Sequence, residues 1–168
     1  MILDVYVMNK NGICLCRRSY GKISESEENV DDLLLTGFMS ALLSFTEQMG
    51  EARLEVVKTN KYLLACNTSD PIAVIVIASG EREEVVKEVA KEILKRFKGL
   101  YAHLLNDWDG NIEYFQAFGE EIDYVVKKMK KTNIRELIKT NEMDAKEIAE
   151  IIISEINQQL QKIMAKNV

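Results

Sequence analysis

Three cysteines and one histidine, Cys14, Cys16, Cys66 and His103, are the residues of this chain whose types could hold a metal ion. Thiolate and imidazole in a Cys3His set suit tetrahedral zinc. On an extended strand Cys14 and Cys16 would point to the same face, because side chains alternate. However, a C-x-C on a strand is not the loop-borne C-x2–4-C spacing of zinc modules, and free cysteine is a common core residue. The thiols are therefore read as buried, and no metal or other cofactor is expected. His103 and Asp107 stand four apart, as a general base and its orienting carboxylate would on a helix. No Ser or Cys nucleophile lies near them in sequence, so His103 is read as a surface residue and no catalytic residue is assigned.

"DWDGN" places Asp107, Asp109 and Asn111 at the first, third and fifth positions of a calcium loop. Ile112 then stands where that loop needs glycine, and Phe118 where it needs glutamate. The segment reads instead as a connection anchored by Trp108. Neither G-x-x-x-x-G-K-[ST] nor G-x-G-x-x-G occurs, so no glycine-rich loop of known type would cradle phosphates. The chain is expected not to be an enzyme.

The elements that must carry these residues follow from periodicity. Ile2 to Met8 alternates as a strand does, and "NKNG" (Asn9 to Gly12) supplies the Asn-Gly signal of a tight hairpin returning along Ile13 to Ser19. A helix is expected from an N-cap at Asn29, with Asp31 and Asp32 in its first turn, to Met49, with Gly50 ending it. Ala52 to Thr59 and Tyr62 to Asn67 read as strands joined at Asn60 and Lys61. "IAVIVIA" (Ile72 to Ala78) is apolar on both faces and should be central. Val86, Val89, Ile93, Phe97, Leu100 and Leu104 mark an amphipathic second helix from near Gly80. A third is expected from Ile112 to Lys131, where "KKMKK" would suit the negative end of the helix dipole. Asn133 with Glu136, and Asp144 with Glu147, have capping-box spacing, and Ile148, Ile152, Ile156, Leu160 and Ile163 form a stripe on a final helix. The fold class is thus α/β (α+β): a five-stranded, mostly antiparallel sheet flanked by helices on both faces, in the order ββαβββαα. A domain of residues 1–131 is followed by a C-terminal helical extension, 132–168.

Length and composition narrow the function. A chain of 168 residues can bury a real core, and its net charge of −5 argues against sequence-independent nucleic-acid binding. The longest apolar run, "PIAVIVIA", is far short of the ~20 residues that span a bilayer. The opening "MILDVYVMN" lacks the features of a signal peptide, and the odd number of cysteines does not suit a disulfide framework, so the expected location is the cytoplasm. "KKMKK" leaves room for at most peripheral contact with an acidic membrane surface.

The helix "GFMSALLSFTEQMG" carries more apolar surface than one stripe. Advancing ~100° per residue from Gly37, Leu34, Phe38, Ala41, Leu42, Phe45 and Met49 fall between roughly 40° and 140°, the usual core-facing arc. Leu35, Met39 and Leu43 form a second ridge between roughly 160° and 240°. That ridge either packs inside the same chain or meets a neighbour. Five strands ~4.8 Å apart are too wide for one ~10 Å helix to cover. The interface is therefore assigned to Leu35, Met39 and Leu43, as apolar surface left open marks association.

The opening hairpin "DVYVMNKNGICLCRRSYG", the helix "LLLTGFMSALLSF" and the pair "LEVVKTNKYLLACN" and "PIAVIVIA" before a charged amphipathic helix together resemble longin-like and roadblock-type domains of the profilin-like class. The resemblance covers Met1 to about Met129. It implies a non-catalytic platform that forms a homo- or heterodimer and docks a small Ras-like GTPase or a trafficking or motility partner. It transfers no catalytic residues. A small-molecule-sensing module of similar architecture is the alternative, and it would need a concave apolar pocket with convergent polar groups.

Overall fold

Alternating apolar residues need two covered faces, and the computed structural model shows how the chain supplies them. It describes residues 1–21, 31–50, 52–139 and 149–158. The chain divides into two compact units, Met1–Lys127 and Lys128–Val168. In the first unit, strands β1 (Ile2–Asn9), β2 (Cys14–Ser19), β3 (Val56–Lys58), β4 (Leu63–Ser69) and β5 (Ile72–Ala78) form one sheet in the order β2-β1-β5-β4-β3. Every pairing is antiparallel. β5 is the middle strand and is buried along its whole length, as its unbroken apolar run requires.

The β1–β2 turn closes with Gly12 at φ 88°, and the Asn9 side chain accepts a hydrogen bond from the Ile13 amide at 2.9 Å. The register then slips between Val7 and Met8: Val7 faces Cys16, whereas Met8 faces Cys14. This bulge overturns the expectation that the two cysteines share a face. A bulge adds one unpaired residue to a strand and so reverses its alternation. Cys14 turns toward the cluster containing Met8 and Cys66, and Cys16 lies on the other face with Val7.

Helix α1 (Asp32–Gln48) starts at Asp31, whose side chain accepts from the Leu33 amide at 2.9 Å. The expected cap, Asn29, lies outside the described residues. Gly50 takes φ 89°, closing the helix as its type predicts. β3 is shorter than the Ala52 to Thr59 reading, only its last part pairing with β4.

The opposite face is covered by α2 (Glu83–Leu105), a 3-10 segment (Ile112–Phe118) and the start of α3 (Gly119–Lys139). Its core holds Phe97, Phe115 and Phe118, with Phe97 and Phe118 edge-on at 5.0 Å between centroids. Trp108 fixes the "DWDGN" loop, stacking edge-on with Phe115 at 5.7 Å and donating its indole N–H to the Asn111 carbonyl at 2.8 Å. The Arg18 guanidinium lies across the start of α3 at Gly119 and occupies the space a Cβ there would need.

α3 corrects the sequence reading at both ends. Its expected first seven residues are 3-10 rather than α, and its backbone runs through Asn133 without a break, so the helix start expected at Asn133 does not occur. In the second unit residues 149–158 are helical, with Ile152 and Ile156 each 51% exposed. Asp144, Glu147, Ile148, Leu160 and Ile163 lie outside the described residues.

Candidate interaction surface

A helix seated on a sheet buries one side, and the side chosen by α1 is not the broad apolar arc. Leu35, Met39 and Leu43 are 9%, 0% and 4% exposed and pack with Tyr6, Met8, Cys66, Ala73, Ile75 and Ile77. The interface assigned to these three residues is therefore corrected: their own chain walls them off. The reason lies in their neighbours on the helix. Thr36 and Ser40 continue the buried side, and both hydroxyls are satisfied there. Thr36 donates to the Asp32 carbonyl at 2.8 Å and Ser40 to the Lys10 carbonyl at 2.5 Å. These small residues let the β1–β2 turn come close, with a Cβ at Gly12 only 3.4 Å from the Thr36 carbonyl oxygen and 3.5 Å from Ser40 Cβ. A polar residue with its hydrogen bond made is as admissible inside as an apolar one.

The arc expected to face the core faces outward instead. Leu34, Phe38, Phe45 and Met49 are 71%, 51%, 60% and 62% exposed, and Leu33 beside them is 75% exposed. Leu42 is half-buried at the margin and Ala41 lies open in the middle. The stripe runs the length of a 17-residue helix, about 25 Å at 1.5 Å per residue.

Ion pairs lock this orientation at both ends of α1. Near the start, the Asp32 carboxylate accepts from Arg17 Nη1 at 2.5 Å and from the Tyr6 hydroxyl at 3.2 Å. The same guanidinium donates Nε and Nη2 to Asp4 at 3.0 and 2.8 Å and lies 5.0 Å over the Tyr6 ring. Burial works against the Arg17 charge, but its hydrogen bonds to Asp4 and the neighbouring Tyr6 and carboxylates raise its pKa on balance. Burial, then the Asp4 charge, pushes the Tyr6 hydroxyl well above the ordinary range. Near the end, Lys10 pairs with Glu47 and, at 3.0 Å, with Asp70. Hydrogen bonds to Glu47 and then Asp70 raise its pKa. Sequence reasoning missed the Asp4–Arg17–Asp32 network. Its signal was a lone acid in an apolar strand, with Tyr6 paired to Arg17 across the hairpin.

The sheet edges differ. At β2 the Gln116 side chain reaches the Leu15 carbonyl at 2.9 Å, whereas β3 pairs only with β4 among the described residues. The residues weighed for chemistry are dispersed. His103 and Asp107 are exposed near the end of α2, and Cys16 lies on the opposite face from Cys14 and Cys66. Among the described residues no three His, Cys, Asp or Glu side chains converge as metal ligands. Burial pushes the Cys14 thiol up to about 11 and the Cys66 thiol up to about 12, and raises Cys16. No helix among the described residues is long and apolar enough to cross a membrane.

Three known structures are similar to parts of this chain. The chain is similar to the Roadblock/LC7 domain from Streptomyces avermitilis, at 14% identity over 60% of this chain and 86% of that one, with a TM-score of 0.49. It is also similar to the gliding protein MglB from Thermus thermophilus, at 11% identity over 63% and 79% of the two chains, with a TM-score of 0.45. A third likeness is to a chain in a homology model of the full-length AP-3 complex in a stretched open conformation, at 12% identity over 86% and 100%, with a TM-score of 0.48. No protein-family model and no curated protein sequence matches the chain.

Proposed function

We propose that this protein is a non-catalytic interaction scaffold that associates, with itself or with a relative, through the outward stripe of α1. The observation that carries the reading is the exposure of Leu34, Phe38, Phe45 and Met49 on a helix whose opposite side is pinned to the sheet. Four side chains half or more exposed amount to roughly 400 Å² of apolar surface, within the range of functional patches on monomers. That is about half of the ~800 Å² each partner buries in a standard interface. The edge of β3, which no other described strand pairs, could supply more by strand addition.

The second half of the reading, that the scaffold docks a small Ras-like GTPase or a trafficking or motility partner, rests on the resemblance of the hairpin–helix–three-strand order to longin-like and roadblock-type domains.

Sedimentation velocity over a concentration series tests the association. Phe38→Asp places a charge in the middle of the stripe and should leave a monomer with unchanged circular dichroism. A variant that associates as the parent does would remove the α1 face from the proposal.

A further inference from the structure

α3 changes sign along its length. Glu120, Glu121 and Asp123 stand near its start, where the dipole favours anions. Residues 128–139 then carry Lys128, Lys130, Lys131, Arg135 and Lys139 against one acid, Glu136. A helix ending at Lys131 would explain the lysines as partners of its dipole. α3 continues to Lys139, so these lysines stand two turns or more before its end, outside the last turn where that effect operates. Lys128 and Lys131 are exposed, Lys130 is half-buried, and none of the three pairs with an acid among the described residues. Like charges three apart weaken a helix. In a chain of net charge −5, Lys128, Lys130 and Lys131, without an acidic partner among the described residues, complement an anionic partner.

The apolar side chains of the same unit indicate which anionic partner. Residues 149–158 form a helix with Ile152, Ile153 and Ile156 exposed by 51%, 57% and 51% on one arc. Nucleic acid would neutralise the lysines but leave the isoleucines in water, and residues 128–168 contain no aromatic side chain on which a base could stack. A bilayer carrying anionic headgroups accommodates both, cations at its surface and apolar side chains at the headgroup–acyl boundary.

We infer that the described residues of the second unit contact a membrane peripherally, Lys128, Lys130 and Lys131 engaging anionic lipid headgroups and Ile152, Ile153 and Ile156 adding apolar contact. The inference is independent of association through α1.

Vesicle co-sedimentation of the full chain tests it. The protein should pellet with phosphatidylcholine vesicles containing an equal part of phosphatidylserine, should not pellet with phosphatidylcholine alone, and should dissociate as salt rises. Replacing one lysine should weaken partitioning about fivefold, so Lys128→Gln/Lys130→Gln/Lys131→Gln should lose roughly 100-fold. The corresponding triple arginine variant should retain binding, with circular dichroism confirming that both variants keep their helix. Failure of the parent to pellet with anionic vesicles at low salt would overturn the membrane contact. So would equal pelleting of the glutamine variant, or binding to DNA or an acidic polypeptide in place of vesicles.

Discussion

Replacing Met39 by alanine tests whether α1 is seated as described. Met39 is fully buried among Tyr6, Met8 and Ile75, so truncation removes three heavy atoms from a closed cluster and leaves a cavity. Such changes cost about 2–5 kcal/mol, the transfer free energy of the lost atoms plus the void they leave. Leu34, one and a half turns away and 71% exposed, serves as the control. Its truncation should alter monomer stability by no more than about 0.5 kcal/mol. With a urea dependence of about 2 kcal/mol per molar, Met39→Ala should lower the unfolding midpoint by about 1–2.5 M and Leu34→Ala hardly at all. The measurement belongs at the lowest workable protein concentration, because association couples to stability by mass action and would otherwise penalise Leu34→Ala as well. If the two variants shift the midpoint equally, or Leu34→Ala shifts it more, the assignment of inner and outer sides to α1 is wrong.

Two other perturbations probe the interior. Arg17→Ala should cost about 3–5 kcal/mol in thermal or urea unfolding, since it strands the Asp4 carboxylate, only 1% exposed, without its partner; Arg17→Met combined with Asp4→Asn should recover much of the loss. The Cys66 thiol, raised by burial from 9.0 to about 12, has no effect on stability below pH 9.0, where folded and unfolded chains both hold the proton. Above that the unfolded chain ionises first, so stability falls with pH until about 12. Comparison of urea midpoints at neutral pH and pH 10 should show an alkaline loss smaller by about 1.4 kcal/mol in Cys66→Ala than in the parent.

Features set by local chemistry were legible in the sequence. The Asn-Gly turn, the unbroken apolar β5, the Gly50 stop and the charged-face periodicity of α2 each name their structure within a few residues. What depends on long-range packing was not. A helical wheel ranks sides by apolar content, and α1 defies that ranking because Thr36 bonds back to the Asp32 carbonyl of its own helix and Ser40 to the Lys10 carbonyl beneath it, while Leu34, Phe38, Phe45 and Met49 stay outside. The strand-width argument assigned the surplus apolar surface to Leu35, Met39 and Leu43, and the burial of all three overturns that side. Cys14 and Cys16 were placed on one face because a bulge in a strand leaves no mark on its own residues. Asn133 resembled a cap, yet side-chain capping competes with helix continuation, and in α3 continuation won.

Hydroxyl-radical footprinting across a protein dilution series reads the outward face of α1 most directly, because the helix carries its own probes: Met49 at 62% exposure and Met39 at 0%. Association through the stripe requires that Met49, Phe38 and Phe45 oxidise readily in dilute solution and become protected as concentration rises, with Met39 protected throughout. Oxidation of Met49 and Phe45 that stays constant while the protein associates by sedimentation would place the interface elsewhere and contradict the proposal.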